Sequence, residues 1–259
     1  MNIYNDIQSA PFLQRAVIAV GTFDGVHKAH HVILDNVNRM AKDVNGTSVA
    51  ISFSVHPRKV INPCHPLQIL TTEEEKNILF RQTGLDTVIY IDFTQTISEM
   101  SYIDFIKFLT QKMEIKIITV GYDHYFGKNK EGNIPNLKKL KPLFGFDIVE
   151  IPKQTLNGIE ISSSSIREAI NDKNFKLANQ LLGYNYKLET QILSRTDKYT
   201  LVEPANKDKI IPPNGEYAIK IDGNNACLEI KDRNLYILTE NANTPINNSN
   251  QNIIIDFNN

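Results

Sequence analysis

The sequence predicts an α/β protein: a Rossmann-like domain with a parallel sheet, followed by a small antiparallel β-barrel domain. Three observations predict it. Short apolar runs alternate with helical patterns through the first part of the chain, as βαβ units do. After about Gly183 alternating strand patterns succeed one another with no long helical pattern among them. And a loop of small residues and histidines directly follows the run Val17-Ile18-Ala19-Val20, where open α/β sheets bind ligands, beyond the carboxyl ends of the strands.

In order, strands are expected at Val17–Val20, Ser48–Phe53, Thr87–Ile91, Ile115–Val120 and Phe146–Ile151. Helices are expected near Ala29–Val44, Glu73–Gln82, Tyr102–Lys112 and Asn136–Phe144, the second opened by Thr72 and Glu75 as a capping box. The second domain should hold strands at Lys187–Leu193, Tyr217–Ile221, Ala226–Ile230, Leu235–Leu238 and Ile253–Phe257. This sets domains at residues 1–185 and 186–259. The asparagine-rich stretch from Asn241 to Asn252 reads as a mobile loop. There is no internal repeat.

Composition limits the function classes. With 259 residues and 41% apolar content, the chain can bury a sizeable core. Its 28 basic and 29 acidic residues nearly cancel, which argues against non-specific nucleic-acid binding. Cys64 and Cys227, far apart, form no disulfide framework and read as reduced thiols. Met1 to Gln14 lacks the pattern of a signal peptide, and no apolar stretch approaches the ~20 residues that span a bilayer. A cytoplasmic protein with no membrane partner is expected; the sequence is silent on oligomeric state.

Four segments carry chemistry. The first is Gly21-Thr22-Phe23-Asp24-Gly25-Val26-His27-Lys28-Ala29-His30. His27 and His30 fall three apart at the start of a predicted helix, on one side of its first turn. Free amides and the positive dipole end add to them, while Gly21 and Gly25 let a ligand approach the backbone. This suits a reaction in which negative charge builds on phosphorus. A zinc site is the weaker rival, because no third ligand stands nearby in sequence. The second segment is Ile161-Ser162-Ser163-Ser164-Ser165-Ile166-Arg167-Glu168. Its serines suit the cap of a helix starting near Ser164, with Ser165 and Glu168 as a capping box. Arg167 then falls in the first turn, against the dipole, unless an anion binds there, and its fork grips phosphate well.

The third segment is Ser54-Val55-His56-Pro57-Arg58, in which Arg58 could reach a phosphate; on its own it reads as a surface loop. The fourth runs from Gly121 to Gly132 and holds Asp123, Phe126 and Lys130. Its aromatics, glycines and lysines fit either a site for a planar ring and a phosphate or a hydrated turn over packed aromatics.

Together the four segments resemble the bacterial bifunctional riboflavin kinase/FAD synthetase family over about residues 10 to 185. The family pattern Gly-x-Phe-Asp-Gly-x-His-x-Gly-His fits residues 21 to 30 except that Ala29 replaces a glycine, where a methyl group could crowd a triphosphate. Val55-His56-Pro57-Arg58 is similar to the family's Pro-His-Pro-Arg. Residues 121 to 132 follow its flavin-side loop with Lys130 in place of arginine, and residues 161 to 167 follow its Ile-Ser-Ser-Thr-x-Ile-Arg with Ser164 for threonine.

The resemblance implies transfer of AMP from ATP to FMN with Mg²⁺. It implies His27, His30 and Arg167 as catalytic residues, and Gly21, Phe23, Asp24, Gly25, Ser163 and Ser164 as nucleotide contacts. His56, Arg58, Asp123, Phe126 and Lys130 become candidates for the flavin side. The kinase half fits poorly: the family's Pro-Thr-Ala-Asn is represented by Pro204-Ala205-Asn206, without its threonine, and a later glutamate-bearing strand and terminal helix have no clear counterpart. A shortened barrel without riboflavin kinase activity is expected. The alternatives are another phosphorylated acceptor, a non-catalytic flavin or nucleotide binder, or a barrel kept as a docking surface.

Overall fold

The structure, a computed structural model, describes residues 1–64, 68–122, 125–238 and 252–258. The loop expected from Asn241 to Asn252 lies outside them except for Asn252, which is the first residue of a strand. The chain divides into two compact units, residues 1–67 with 73–154, and residues 68–72 with 155–259.

The first unit runs β1 (Asn2–Tyr4), β2 (Leu13–Val20), α1 (Lys28–Asp43), β3 (Ser48–Phe53), α2 (Pro57–Ile61), α3 (Glu73–Thr83), β4 (Thr87–Ile91), α4 (Gln95–Glu99), α5 (Tyr102–Thr110), β5 (Met113–Gly121), α6 (Ile134–Phe144) and β6 (Asp147–Ile151). Its six strands form one parallel sheet in the order β1-β4-β3-β2-β5-β6. Both faces of the central strands are covered. Ala16, Ile18 and Val20 of β2, with Val49 and Ile51 of β3, join one core together with Phe105, Ile106 and Leu109 of α5. Val17 and Ala19, with Ala50, Val88 and Tyr90, join the other core, against Leu34 and Val37 of α1 and Phe80 of α3. Side chains alternate between faces, so a strand buried on both sides reads as an unbroken apolar run. That is why the expected bounds of β3 and β4 coincide with the observed ones.

Several helices are capped by local side chains. Ser101 accepts from the Asp104 amide at 3.1 Å and donates to its carboxylate at 2.7 Å at the start of α5. Asn133 accepts from the Asn136 amide at the start of α6, which ends on Gly145.

The second unit holds the hairpin β7 (Thr155–Leu156) and β8 (Ile159–Glu160), then α7 (Ser163–Asn171), α8 (Phe175–Leu182) and β9 (Tyr186–Arg195). β10 (Tyr199–Pro204), β11 (Gly215–Ile221), β12 (Asn224–Lys231), β13 (Asn234–Leu238) and β14 (Asn252–Phe257) complete it. The last six strands close a barrel in the order β10-β13-β12-β11-β14-β9, as expected. Ile166, Ala169 and Ile170 of α7 and Phe175, Ala178 and Leu181 of α8 share the core of the barrel strands. Phe175 stacks on Phe257 with ring centroids 4.5 Å apart.

Candidate active site

The sheet order reverses at β2. The chain moves from β2 to β3 on one side and later returns to place β5 on the other, with Val17 opposite Ile117 and Ala19 opposite Thr119. A crevice forms at such a switch point, beyond the carboxyl ends of the strands. The loops that follow β2, β3 and β5 all leave from this end. They carry three of the four segments singled out in the sequence.

The β2 loop is tightly folded. The Gly21 amide donates to the Ile51 carbonyl (3.0 Å) and the Val26 amide to the Phe23 carbonyl (3.0 Å). Gly25 turns at φ +85°, and Phe23 and Val26 are themselves held at φ +47° and +33°. For a β-branched residue such as Val26 that is strained, at a cost on the order of 1–3 kcal/mol, and strain of this kind persists where surrounding structure enforces it. Phe23 supplies that support: buried, it meets Phe80 edge-on at 5.5 Å and His30 at 5.1 Å.

Helix α1 begins one residue earlier than expected, and His27 is its N-cap residue, in extended conformation. The side chain of His27 makes no capping hydrogen bond and the first turn holds no acidic residue. The amides of that turn and the positive dipole end therefore suit an anion. His27 is buried and His30 half-buried, and their rings stack with centroids 3.6 Å apart and planes 14° from parallel. The buried Nδ1 of His30 has no hydrogen-bond partner among the described residues. Burial first, then the charges of His27, His31 and Lys76, hold the His30 pKa well below the ordinary imidazole value. Burial therefore favours the uncharged form of His30. Asp24 is buried within the same loop.

Sequence reasoning missed Lys76, a buried cation on α3 that donates to Ser52 Oγ (3.4 Å) and to the Phe53 carbonyl (3.3 Å). The available signal was its place four residues before Phe80, on the apolar face of the helix.

After β3, the segment read as a surface loop forms the short helix α2. His56 is its N-cap residue, with the ring Nδ1 accepting from the Arg58 amide at 3.2 Å. After β5, Phe126 packs on Phe105 at 5.4 Å and pairs its backbone with Gly132, while Lys130 is exposed. Asp123 lies outside the described residues.

Ser163, Ser164 and Arg167 belong to the second unit. Helix α7 starts at Ser163 with Ser162 as its cap, accepting from the Ser165 amide at 3.2 Å. Ser165 therefore sits inside the helix, and the expected box of Ser165 with Glu168 does not form. Arg167 is the fifth helical residue, beyond the first turn where the dipole acts most strongly. Its Nε donates to the Gln68 carbonyl at 2.7 Å. Among the described residues no three His, Cys, Asp or Glu gather in a metal-holding group. Among the described residues no helix is long and apolar enough to cross a membrane.

A histidine-bearing helix start at the switch point of a parallel sheet defines an α/β nucleotidyltransferase. Residues 9–165 match the family model for FAD synthetase, and the chain belongs to that family, whose members are FMN adenylyltransferases. It is 31% identical over 213 residues to a bifunctional riboflavin kinase/FMN adenylyltransferase of Buchnera aphidicola subsp. Schizaphis graminum, covering 80% of this chain and 68% of that one. A protein of the same description from Listeria monocytogenes is 30% identical over 211 residues, covering 79% and 67%. The crystal structure of a macrolide-efflux protein from Streptococcus pneumoniae matches with a TM-score of 0.80 over 99% of this chain and 88% of that one; at 20% identity the likeness is one of fold.

Proposed function

We propose that the loops beyond β2, β3 and β5 carry out adenylyl transfer to FMN, and that the barrel has no riboflavin kinase activity. The observation that carries the first part is the stack of His27 and His30 at the start of α1, at the switch point of the sheet. The FMN phosphate is anionic near neutral pH and needs no strong base. Its oxygen forms a bond to the α-phosphorus of ATP in line, the bond to the α–β bridging oxygen breaks, and pyrophosphate leaves.

Catalysis then comes from positioning and from charge stabilisation. His27 and His30 donate to the α-phosphate oxygens as charge builds there. Gly21, Phe23, Asp24 and Gly25 shape the loop that receives the nucleotide. Ser163 and Ser164 at the start of α7 and the guanidinium of Arg167 take the β- and γ-phosphates, with the Gln68 carbonyl fixing the Nε end of the arginine. His56, Arg58, Asp123, Phe126 and Lys130 serve the flavin side.

Mg²⁺ fits this site as an ion carried on the triphosphate, because the described residues offer cations and amides here and no carboxylate cage. When bound, it offsets charge on the phosphate oxygens. Two free thiols, Cys64 and Cys227, support a reducing, cytoplasmic setting. The division of labour follows the sequence, with residues 1–185 serving transfer and 186–259 forming a kinase-like barrel that lacks the threonine before Ala205.

Incubation with Mg²⁺-ATP and either FMN or riboflavin tests both parts. FAD from FMN and no FMN from riboflavin is expected. FMN from riboflavin overturns the loss of the kinase, and no FAD from FMN overturns the transfer site.

A further inference from the structure

Lys76 is 7% exposed on the face of α3 that also buries Phe80. Burying an ammonium is costly unless it is partnered, and a leucine or methionine would fill the same space more cheaply. The charge is held by specific contacts. Nζ donates to the carbonyl of Phe53, the last residue of β3, and to Ser52 Oγ, and lies 5.1 Å from the centre of the Tyr90 ring. Ser52 Oγ in turn donates to the Thr22 carbonyl at 3.3 Å, so the contacts run from α3 through β3 into the strained loop. Thr22 directly precedes Phe23, whose φ is positive and whose ring meets His30. Asp24, 3% exposed in the same loop, and Glu73 and Glu74 on α3 are the opposite charges acting on Lys76.

We propose that Lys76 is a positioning residue for adenylyl transfer: through Ser52 and Thr22 it braces the loop that aims His27 and His30, and it keeps a positive charge behind the α-phosphate. The proposal rests on the reading of the two histidines as the phosphate site. Its charge also helps to keep the proton off His30 before ATP binds, together with His27 and His31. Small misplacements at a phosphate site cost rate more than binding, so the lysine should show in kcat.

The test uses the full chain with Mg²⁺-ATP and FMN. Lys76→Met should lower kcat by about tenfold or more with the KM for FMN little changed. It should also move the His30 titration, followed by NMR, up toward the ordinary imidazole value. Lys76→Arg, which keeps the charge, should recover part of the rate and leave His30 titrating low. A folded Lys76→Met with normal kcat and an unmoved His30 titration overturns the proposal. If Lys76→Met does not fold, Ser52→Ala removes the hydroxyl between Lys76 and Thr22 and keeps the charge; a lowered kcat supports the brace and a normal one overturns it. His30→Ala separates the two readings. If it turns over normally, the histidine site itself is wrong. If it is slow while Lys76→Met is normal, only the role of Lys76 falls.

Discussion

The imidazoles of His27 and His30 lie face to face, 3.6 Å between centroids. Two like charges at that distance repel strongly where water is excluded, so a charge on one ring opposes a charge on the other. The His30 pKa is lowered chiefly by burial, with His27 the next cause. As the pH falls below about 6.5, the usual imidazole value, the unfolded chain binds this proton before the folded one does. Folding stability should therefore decline through that window and level off once the folded pKa is passed. Urea midpoints measured from pH 7.5 to 5 should show a smaller decline in His30→Asn. An equal decline in both proteins would contradict the assignment. Mg²⁺-ATP should move the His30 titration upward, because a phosphate stabilises the charged ring.

Removing either ring should act on the transition state. His27→Ala and His30→Ala should each lower kcat by about 10²–10³-fold, the usual effect of deleting one donor aimed at developing charge. The double variant should lose less than the product of the two losses, because stacked partners act as a unit. Single-turnover formation of FAD measures this directly, and a variant with normal turnover would remove its histidine from the catalytic set.

Position 29 is helical in α1, so nothing in the backbone there requires the glycine of the family pattern. Alanine favours the helix by about 1 kcal/mol over glycine. Ala29→Gly should lower the melting temperature by a few degrees. Where the alanine methyl crowds the triphosphate, the same change should lower the KM for ATP. Thermal melts and ATP titrations read the two effects separately.

The elements that sequence reading captured are those whose own pattern decides them. Strands β3 and β4 are buried on both faces, and α5 opens with Ser101 and Asp104. Strand β1 was not legible: it has three residues, and its pairing with β4 is set by tertiary structure. Other omissions had signals. Asn157-Gly158 is the two-residue hairpin turn between β7 and β8, with both residues at positive φ. Asn174 and Gly183 bracket α8 as cap residues. Strand β10 ends in Pro204, a residue that lacks an amide donor and is rare inside strands. In the site, the His27–His30 stack was only partly legible. Spacing places them near one another, but His27 is the extended N-cap residue and not a helical one, and only the folded loop brings the rings into contact. Lys76 was missed for a different reason: a lysine in an acidic helix reads as a solvated side chain, and only its place four residues before Phe80 marks the face it shares.

The second unit offers a further measurable link. Lys209 is buried, donates to the Leu70 carbonyl at 2.7 Å and lies 4.8 Å from the centre of the Tyr186 ring. Backbone bonds join the same short segment to the barrel, from the Ile69 amide to the Asp208 carbonyl and from the Ile210 amide to the Ile69 carbonyl. Arg167 holds the next carbonyl along, that of Gln68. Lys209→Met removes a charged hydrogen bond and a cation–ring contact, which should destabilise the protein by about 1.5–3 kcal/mol. The loosened segment should also let the Arg167 guanidinium drift. On the proposed role of that arginine the KM for ATP rises, while the KM for FMN stays put. Denaturant unfolding with initial-rate kinetics on the full chain checks both, and a destabilised variant with an unchanged KM for ATP would separate the segment from phosphate binding.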